Sequence, residues 1–596
     1  MSSVLSETLH LLADRVSHLA ERQIMTSGHP EAGGIVSFDK DTLPRHIPFV
    51  GVGSGLPEVV ATFEFVAACG YLYIAGHRAA NHAHPRAAEF VTRATAGMDF
   101  LIHSQRAGGL IDLINCNYDS SPDTGFCVQM LVPLLQTGGE WRGDDPAWNT
   151  LCERIETFVR HAVPGLITGG FHTPNHRWVI SSALALAARF VPGVETAADR
   201  GGVAAAIDPM LAEGIDIDAE GAFLERSVVV YDAVCDRSLL FLEEFWPAAR
   251  AAGAGRAAVA NLEFDLYLLN HDGAAETGLS RRQDYGTKAV PVSLAACYLL
   301  AGQTAAGAAK KTAFDAAARF LWQKARQGGD PLIVPNLNWL VHALLVTNAD
   351  AELAPGHVTK APPDFARPFP ANGFWRARRG AFAATAFTNT TRLLHLNFGL
   401  AELAGLKISQ SYFGAGLFVA DSFNGDASGC VLRSEGCRVP RRPGYELPLG
   451  SPVPPADWEK LRHTRPLRAI PPAAGELAIT LLPGDGADGA GLELRYRTTD
   501  GVDKVATQIA LDFVPGGIWE SGDIITRPAA GQVLFLKRGS GRMRYGLDVI
   551  EIEGGAHAHT MWAMRDSETA PAHVRVLLTF LTPVDHRFVI KTWRGL

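Results

Sequence analysis

The decapeptide GGFHTPNHRW at positions 169–178 carries residue types that could perform acid–base chemistry beside an anion. Thr173 suits the N-cap of a helix and Pro174 its first helical position, which places Asn175 and His176 in the first turn. Free backbone amides and the positive end of the helix dipole favour a carboxylate there. We interpret Asn175 and His176 as an amide and an imidazole beside a docked carboxylate. The alternative is that they only cap and hydrogen-bond the turn.

A second segment, GAFLERSVVVY at positions 221–231, supplies a candidate for proton transfer in Tyr231. A tyrosine in an apolar run is more often a core residue with a satisfied hydroxyl. The occurrence of this segment together with the Asn175–His176 pair favours a functional interpretation. Tyr285, in SRRQDYGTK, is an alternative that lacks the E-R-S context.

Together the two segments resemble the heparinase II/III-like polysaccharide lyases. The resemblance rests on N-H-x-W beginning at Asn175 and on G-x-x-x-E-R-S-x-x-x-Y ending at Tyr231. NYDSSPDTGF at 117–126 and SRRQD at 280–284 agree with it. It covers most of the chain and implies cleavage of uronate-containing glycans. In that family's terms, the amide of Asn175 neutralises the uronate carboxylate, while Tyr231 and His176 transfer protons.

The chemistry of β-elimination explains these residue types. The hydrogen on C5 of a uronate is weakly acidic, so its removal requires stabilisation of the negative charge that develops on the carboxylate. Asn175, the helix N-terminus and a nearby arginine would stabilise that charge. A tyrosinate or a neutral histidine then removes the proton, and a tyrosine hydroxyl protonates the departing O4. The product carries a C4–C5 double bond, and no water is consumed.

Other residues of the same segments, together with arginines, are predicted to contact the substrate. Arginine suits carboxylate and sulfate groups because of its planar fork of donors. Arginines cluster at 376–379 and again at 433–468, although a solvated rim of surface arginines would look the same. The predicted substrate-binding residues are Asn117, Asp123, His172, Arg177, Trp178, Glu225, Arg226, Arg281, Arg282 and Arg438.

The resemblance also implies a basic residue from the C-terminal half. Where the family has a His-x-His-x-Asp-like stretch, this chain reads RLLHLNF at 392–398, so His395 remains the candidate. That departure argues against a metal site there, and we predict no metal and no cofactor. His557 and His559 alternate in GGAHAHTMW, but no acidic partner is nearby, so a surface or packing role is favoured over metal binding.

Two other function classes remain open. A glycoside hydrolase on a helical toroid would need two carboxylates, for which Asp119, Asp123, Glu225 and Asp232 could be enlisted. No pair stands out, and the Asn, His and Tyr set would then be unexplained. A non-catalytic carbohydrate-binding protein would show no activity on any uronate polymer. Formation of an unsaturated uronate, with absorbance near 235 nm, separates elimination from both.

These residues are expected to be positioned by two domains with different periodicities. To about residue 365, apolar residues recur at spacings of three and four, in blocks such as ATFEFVAACGYLYIAG and VISSALALAARF. We predict an (α/α) toroid, an incomplete barrel of helical hairpins, over 1–365, and prefer it to an open solenoid. Short alternating segments such as LELRYRTT and HVRVLLTFL follow, separated by Gly-rich turns, and predict an antiparallel β-sandwich over 366–596.

Composition limits the partners. The 596 residues are 47% hydrophobic and 19% charged, which predicts folded domains rather than disorder. A net charge of −8 argues against a nucleic-acid partner. We find no uninterrupted apolar run of membrane length and no signal-peptide pattern, so no membrane partner and a cytoplasmic location are expected. The eight cysteines show no CxxC pair, although a Cys430–Cys437 disulfide remains an alternative to free thiols. The expected partner is an acidic oligo- or polysaccharide.

Overall fold

A computed structural model describes most of the chain in two compact units. The described residues are 3–36, 55–114, 116–194, 202–328, 332–349, 362–412, 414–436, 450–462, 464, 471–483, 490–522 and 524–595. The first unit comprises residues 1–269 and 273–362, and the second comprises 270–272 and 363–596. The first strand of the second unit begins at Phe365, beside the boundary predicted from the change in periodicity.

The first unit is helical. Its helices are α1 (Val4–Ala20), α2 (Val59–Arg78), α3 (Ala87–His103), α4 (Ser121–Gly138), α5 (Pro146–Thr168), α6 (Pro174–Phe190), α7 (Gly202–Ala212), α8 (Tyr231–Phe245), α9 (Pro247–Ala252), α10 (Ala254–Leu268), α11 (Ser293–Ala301), α12 (Lys311–Gln327) and α13 (Val334–Thr347). Two short ladders accompany them, β1 (Ile35–Val36) with β2 (Pro57–Glu58) and β3 (Ile111–Leu113) with β4 (Asn117–Ser120).

Six of these helices form a closed ring. α2 packs against α4, α4 against α6, α6 against α8, α8 against α11 and α11 against α13, and α13 returns to α2. The other helices each pack on a member of the ring, as α3 does on α2, α10 on α8 and α12 on α11. The predicted helical toroid is therefore confirmed, and its ring of helices is closed. The starts of α6 and α8, which carry Asn175 and Tyr231, belong to neighbouring ring helices.

Helix α2 is apolar on every side. By length and composition it is the one described helix that could cross a membrane, but 78% of its most apolar stretch is buried inside the protein. A helix that is hydrophobic all round is expected where other helices surround it. Because α2 packs against α1, α3, α4 and α13, its place in the ring accounts for its composition.

The second unit consists of two β-sheets. Its strands are β5 (Phe365–Phe369), β6 (Phe374–Arg379), β7 (Phe382–Phe387), β8 (Leu394–Phe398), β9 (Ala401–Gln410), β10 (Ser422–Asp426), β11 (Gly429–Ser434), β12 (Gly475–Pro483), β13 (Ala490–Thr498), β14 (Ala506–Phe513), β15 (Ile518–Ser521), β16 (Ile524–Thr526), β17 (Val533–Phe535), β18 (Ser540–Tyr545), β19 (Asp548–Glu553), β20 (Val574–Leu581) and β21 (Asp585–Arg594), with one short helix, α14 (Trp458–Arg462).

The two sheets of this unit form a β-sandwich. One sheet has the order β10-β11-β12-β13-β21-β19-β18-β15-β16 and the other β17-β20-β14-β9-β8-β7-β6-β5. All neighbouring pairs are antiparallel except β17 with β20, which is parallel. Apolar side chains of both sheets, among them Leu396 and Ile509 of one and Leu492 and Ile550 of the other, belong to one buried cluster. The predicted β-sandwich is confirmed, with one parallel pair that the sequence did not indicate.

Two cross-strand ion pairs of the sandwich differ mainly in burial. Arg575 binds Asp512 through two hydrogen bonds of 2.7 and 2.8 Å, with both side chains buried. Arg495 binds Asp585 in the same way at 2.7 and 2.6 Å, but both are about half exposed. A buried carboxylate that loses its partner keeps its desolvation cost, whereas an exposed one is hydrated.

We therefore expect Arg575→Met to lower the free energy of unfolding by about 3–5 kcal/mol, the range for a broken buried pair. Arg495→Met, the matched control, should cost much less, because the exposed Asp585 carboxylate is hydrated when its partner is lost. Urea unfolding monitored by tryptophan fluorescence measures both. Equal costs for the two variants would show that burial of Asp512 does not determine the strength of this pair.

Candidate functional site

The N-terminus of α6 is capped by a carboxylate from another segment. The helix begins at Pro174 with Thr173 as N-cap, as predicted, but the Thr173 side chain accepts no capping hydrogen bond. Instead, Asn175 donates its backbone N–H to Glu225 Oε2 at 3.1 Å and its Nδ2 to the same oxygen at 2.7 Å. The anion predicted at this helix start is therefore supplied by Glu225 rather than left for a substrate carboxylate.

The side-chain amide of Asn175 has one fixed and one exchangeable hydrogen bond. Asn175 is fully buried, and its second Nδ2 contact is with Thr173 Oγ1 at 3.0 Å. Thr173 is half-buried, whereas Glu225 is buried, so the Thr173 contact lies on the more open side. A carboxylate is a stronger acceptor than a neutral hydroxyl. A carboxylate at the position of Thr173 Oγ1 would therefore be a stronger acceptor for this one N–H of Asn175.

Glu225 also connects α6 to Tyr231 through Arg282. Its Oε1 lies 2.8 Å from Arg282 Nη1, and the Arg282 guanidinium lies over the Tyr231 ring, 4.3 Å from its centroid. Burial raises the pKa of Glu225, while the hydrogen bonds from Asn175 and the charge of Arg282 act against that rise. The carboxylate therefore has a compensating partner for each oxygen, and it joins the amide of Asn175 to the phenol of Tyr231.

His176 is held in its neutral form. Burial lowers its pKa to about 3, and the charges of His172 and Arg282 act in the same direction. Its ring meets the ring of His172 edge to face at 4.8 Å and that of Phe126, on α4, at 6.2 Å. Nδ1 of His176 is buried and has no hydrogen-bond partner within the described residues. A neutral imidazole thus stands beside the Asn175 amide.

The E-R-S-x-x-x-Y and S-R-R-Q-D motifs fold into one hydrogen-bonded unit. Ser227 donates its hydroxyl to Asp284 Oδ1 at 2.9 Å and accepts the backbone N–H of Tyr231 at 3.2 Å. Asp284 also accepts the backbone N–H of Val229 at 3.2 Å and the hydroxyl of Ser280. These contacts fix where α8 begins, and Tyr231 is its first residue.

Gly221, which begins the G-x-x-x-E-R-S-x-x-x-Y motif, is required by packing. Gly221 has a φ of 96°, and a Cβ at this position would lie 2.4 Å from the carbonyl oxygen of Ala260 on α10. The Nδ2 of Asn261 donates to the Gly221 carbonyl at 2.9 Å. A larger residue would push residues 221–231 away from α10, and with them Glu225 and Tyr231.

Two further predicted arginines lie beside this unit. Arg281 donates its backbone N–H to the carbonyl of Glu225 at 3.0 Å, and its side chain is exposed. Arg226 is half-buried with a φ of 52°, and burial together with the charge of Arg281 lowers its pKa. The structure thus brings one group of predicted residues together within the toroid. They are His172, Asn175, His176, Glu225, Arg226, Tyr231, Arg281 and Arg282.

Arg177 and Trp178 were predicted to bind substrate, and the structure shows both in packing contacts. Arg177 is buried and binds Glu213 at 3.1 Å and Asp216 at 2.9 Å, while its guanidinium lies over the Trp178 ring. Trp178 is fully buried and donates Nε1–H to Asp216 Oδ1 at 2.7 Å. These contacts pack α6 against residues 213–216, and the substrate contact of Arg177 and Trp178 stays a prediction.

Asn117 and Asp123 belong to the cap of α4. Asp123 accepts from Ser120 Oγ at 2.5 Å and from Asn117 Nδ2 at 3.1 Å, and its backbone N–H points back to Ser120 Oγ at 3.4 Å. Such reciprocal contacts form a capping box at a helix start. Capping explains this motif without a substrate. Its effect on the site is indirect, because α4 carries Phe126 against His176.

His395 is the predicted site residue of the second unit that the structure describes. His395 lies on β8, buried, with its Nε2 3.3 Å from Glu402 Oε1 and 3.2 Å from Asn397 Nδ2. Its role as the basic residue of the reaction stays a prediction. Arg438 lies outside the described residues, as does Cys437 of the disulfide alternative.

Burial corrects the hypothesis that Arg376 and Arg378 belong to a basic surface of the sandwich. Arg376 and Arg378 are buried and donate to Thr385 Oγ1 and the Pro363 carbonyl, so they stabilise the sheet rather than line a surface. His559 Nε2 lies 3.0 Å from the carbonyl of Phe580. Within the described part of the chain, no three His, Cys, Asp or Glu residues are arranged to hold a metal ion.

Sequence reasoning missed a buried acidic face between α8 and α10. Asp232 and Asp236 on α8, and Asp265 on α10, are buried, and burial raises the pKa of each. The i, i+4 spacing of Asp232 and Asp236, which places both on one face of α8, was the available signal. Neutral carboxyls can be accommodated in such a place, where ionised ones would be costly.

Comparison with known proteins finds solved structures that are similar to this chain. No family model and no curated protein matches the chain. Similar solved structures include heparan sulfate lyase HepC from Pedobacter heparinus, at 10% identity over 98% of this chain and 83% of that one, with a TM-score of 0.46. Another is a Streptomyces coelicolor chondroitin AC lyase in complex with chondroitin sulphate, at 15% identity over 99% and 79%, with a TM-score of 0.44. A third is heparinase III, at 9% over 98% and 89%, with a TM-score of 0.43.

The lowered pKa of His176 predicts how acid affects the protein. Because the folded pKa of about 3 lies below the ordinary 6.5, the unfolded chain binds the proton first, and stability is lost as pH falls through that interval. Between about pH 6.5 and about pH 5, proton binding to His176 in the unfolded chain should lower the free energy of unfolding by about 1–2 kcal/mol. His176→Gln should therefore lose less stability over this interval than the wild type.

Thermal melting across this pH range measures the effect, and His10→Gln on the exposed face of α1 is the control. The control should melt like the wild type at each pH. If His176→Gln and the wild type show the same acid dependence, His176 is not held neutral by its surroundings.

Proposed function

We propose that the protein is a polysaccharide lyase that cleaves uronate-containing acidic glycans by β-elimination. Glycosaminoglycans are the favoured substrate class, and alginate is the second. The observation that carries the proposal is the Glu225 bridge. Glu225 accepts a hydrogen bond from the Asn175 amide, which has neutral His176 next to it, and forms an ion pair with Arg282, whose guanidinium lies over the Tyr231 ring. The motif resemblance to heparinase II/III-like lyases supports the same conclusion.

Asn175 is placed to stabilise the charge that forms on the uronate carboxylate. One N–H is held by Glu225 at 2.7 Å, so the other is directed to the position now taken by Thr173 Oγ1. A donor fixed before the reaction gains strength as negative charge grows on its acceptor and needs no reorganisation at that moment. The uronate carboxylate therefore displaces the Thr173 contact, and its charge is stabilised most in the transition state.

Proton transfer falls mainly to Tyr231. With a pKa of about 3, His176 stays neutral and offers a hydrogen bond rather than a stable resting place for a proton. Tyr231 begins α8, is half-buried, and carries a hydroxyl that can take the C5 proton as phenolate or give a proton to O4 as phenol. The C5–H and C4–O4 bonds break, the C4–C5 double bond forms, and O4 leaves as a hydroxyl.

The carboxylates considered for a hydrolase are used in other contacts. Glu225 is bound to Asn175 and Arg282, Asp123 caps α4, and Asp232 is buried and accepts the backbone N–H of Ser227. Asp119 is exposed and donates its backbone N–H to Asp112. A non-catalytic carbohydrate-binding role would leave the Asn175, His176 and Tyr231 group without a function.

We expect Tyr231→Phe to lower kcat by about 10²–10⁴, the contribution typical of a positioned acid or base, with folding and KM near wild type because only a hydroxyl is lost. The assay follows absorbance of the unsaturated product near 235 nm on hyaluronan, chondroitin, heparan-type polymers and alginate. Tyr285→Phe, an exposed tyrosine of the neighbouring loop, is the matched control.

Turnover in Tyr231→Phe equal to that of the wild type would remove Tyr231 from the reaction, and a large loss in Tyr285→Phe would then assign the role to Tyr285. Absence of unsaturated product from every polymer with the wild-type protein would contradict the proposed function itself.

A further inference from the structure

We propose that Glu225 is a positioning residue that makes Asn175 and Arg282 act as one unit, so that the carboxylate-binding amide and the proton-transferring phenol are aligned together. This inference rests on the proposed function. It changes the role predicted from sequence, in which Glu225 and Arg282 contact the substrate. The buried position of Glu225, 5% exposed, leaves it little surface for such a contact.

Glu225 determines which way the Asn175 amide faces. Its Oε2 accepts both the backbone N–H and the Nδ2–H of Asn175, at 3.1 and 2.7 Å. If the amide turned by half a rotation, its carbonyl oxygen would meet the carboxylate oxygen, and two acceptors without a proton between them repel. The carboxylate therefore keeps Nδ2 on this side and its second N–H towards the Thr173 hydroxyl.

The other oxygen of Glu225 determines where Arg282 lies. The pair of Oε1 with Nη1 at 2.8 Å is mostly shielded from solvent, with side-chain exposures of 6% for Glu225 and 20% for Arg282. The planar guanidinium then covers one face of the Tyr231 ring. A stacked planar cation restricts the tilt of the ring. The direction of the Tyr231 hydroxyl therefore depends on the same carboxylate that orients Asn175.

Charge makes the two contacts interdependent. Without Arg282, Glu225 would be a buried carboxylate short of one counter-charge, and burial already raises its pKa. Without Glu225, the Arg282 cation would stand beside His176 uncompensated. Removing either partner therefore disturbs both ends of the bridge. Residues that act as one unit give non-additive losses when they are removed together.

The test is a double-mutant cycle with Glu225→Gln, Arg282→Met and the double variant. Each single variant should lower kcat about 10–100-fold, the usual cost of losing a residue that orients a functional group, and should change KM less. The double variant should be no slower than the slower single variant. Losses that multiply, or a Glu225→Gln variant with wild-type kcat, would overturn the proposal.

Glu156→Gln is the matched control. Glu156 is a buried carboxylate on α5. Like Glu225 it has two polar partners, which here are both arginines, Arg160 at 2.8 Å and Arg142. The variant should lower the melting temperature and leave kcat and KM unchanged. If it lowers kcat as much as Glu225→Gln does, the loss at Glu225 reflects general destabilisation and the positioning role is contradicted.

Melting temperatures of the four proteins of the cycle separate this inference from the proposed function. If the wild type yields no unsaturated product from any uronate polymer, the proposed function fails. The melting temperatures of the four proteins still test whether Glu225 and Arg282 are coupled. Shifts in melting temperature that are smaller in the double variant than the sum of the single shifts support coupling of Glu225 and Arg282. Additive shifts would show that the two residues act separately and would overturn the inference.

Discussion

Removing the Glu225 carboxylate from water is the constraint on which the rest of the site depends. A buried carboxylate is tolerated only when hydrogen bonds and an opposite charge replace its hydration. Here the replacements come from the start of α6, through Asn175, and from the loop before α11, through Arg282. Because the same groups surround His176 and Tyr231, satisfying one carboxylate arranges an amide, a neutral imidazole and a phenol.

The toroid holds this group of side chains in place because the group lies at the starts of two neighbouring ring helices, α6 and α8. α6 packs on both α4 and α8, so its N-terminus cannot shift without disturbing both. Around it, Asp216 holds Arg177 and Trp178, while Asp284 holds Ser227. These polar contacts are buried, and breaking one would leave an unpaired donor or acceptor, which is costly. The positions of these groups are therefore set by the fold, as the charge stabilisation in the proposed reaction requires.

Much of this could be predicted because it depends on local pattern. Thr173 and Pro174 gave the start of α6, the change of periodicity gave the helical and β parts, and the spaced motifs indicated Asn175, His176 and Tyr231. Partner choice could not be predicted in the same way. The ion pairs of Arg177 were missed because its partners, Glu213 and Asp216, lie far away in sequence and meet it only after folding.

Other errors came from signals that were visible but outweighed. Ser120 and Asp123 have the spacing of a capping box, yet the family resemblance drew attention to Asp123 as a substrate ligand. Arg376 and Arg378 alternate along β6 and read as a basic surface, but both are buried, and Arg376 donates to Thr385, its cross-strand partner on β7. Strand order depends on long-range pairing, which no local pattern of residues encodes.

The central claim is that bond cleavage consumes no water, and the fate of oxygen from the solvent tests it most directly. A uronate oligosaccharide can be digested in water enriched in the heavy isotope of oxygen and its fragments weighed by mass spectrometry. β-Elimination predicts an unsaturated uronate end that carries no heavy oxygen, and fragment masses that sum to the mass of the starting chain once oxygen exchange at the reducing ends is subtracted with an uncleaved control. Fragments that gain the heavy isotope at the cleaved bond, with a mass sum larger by one water, would show hydrolysis and contradict the account.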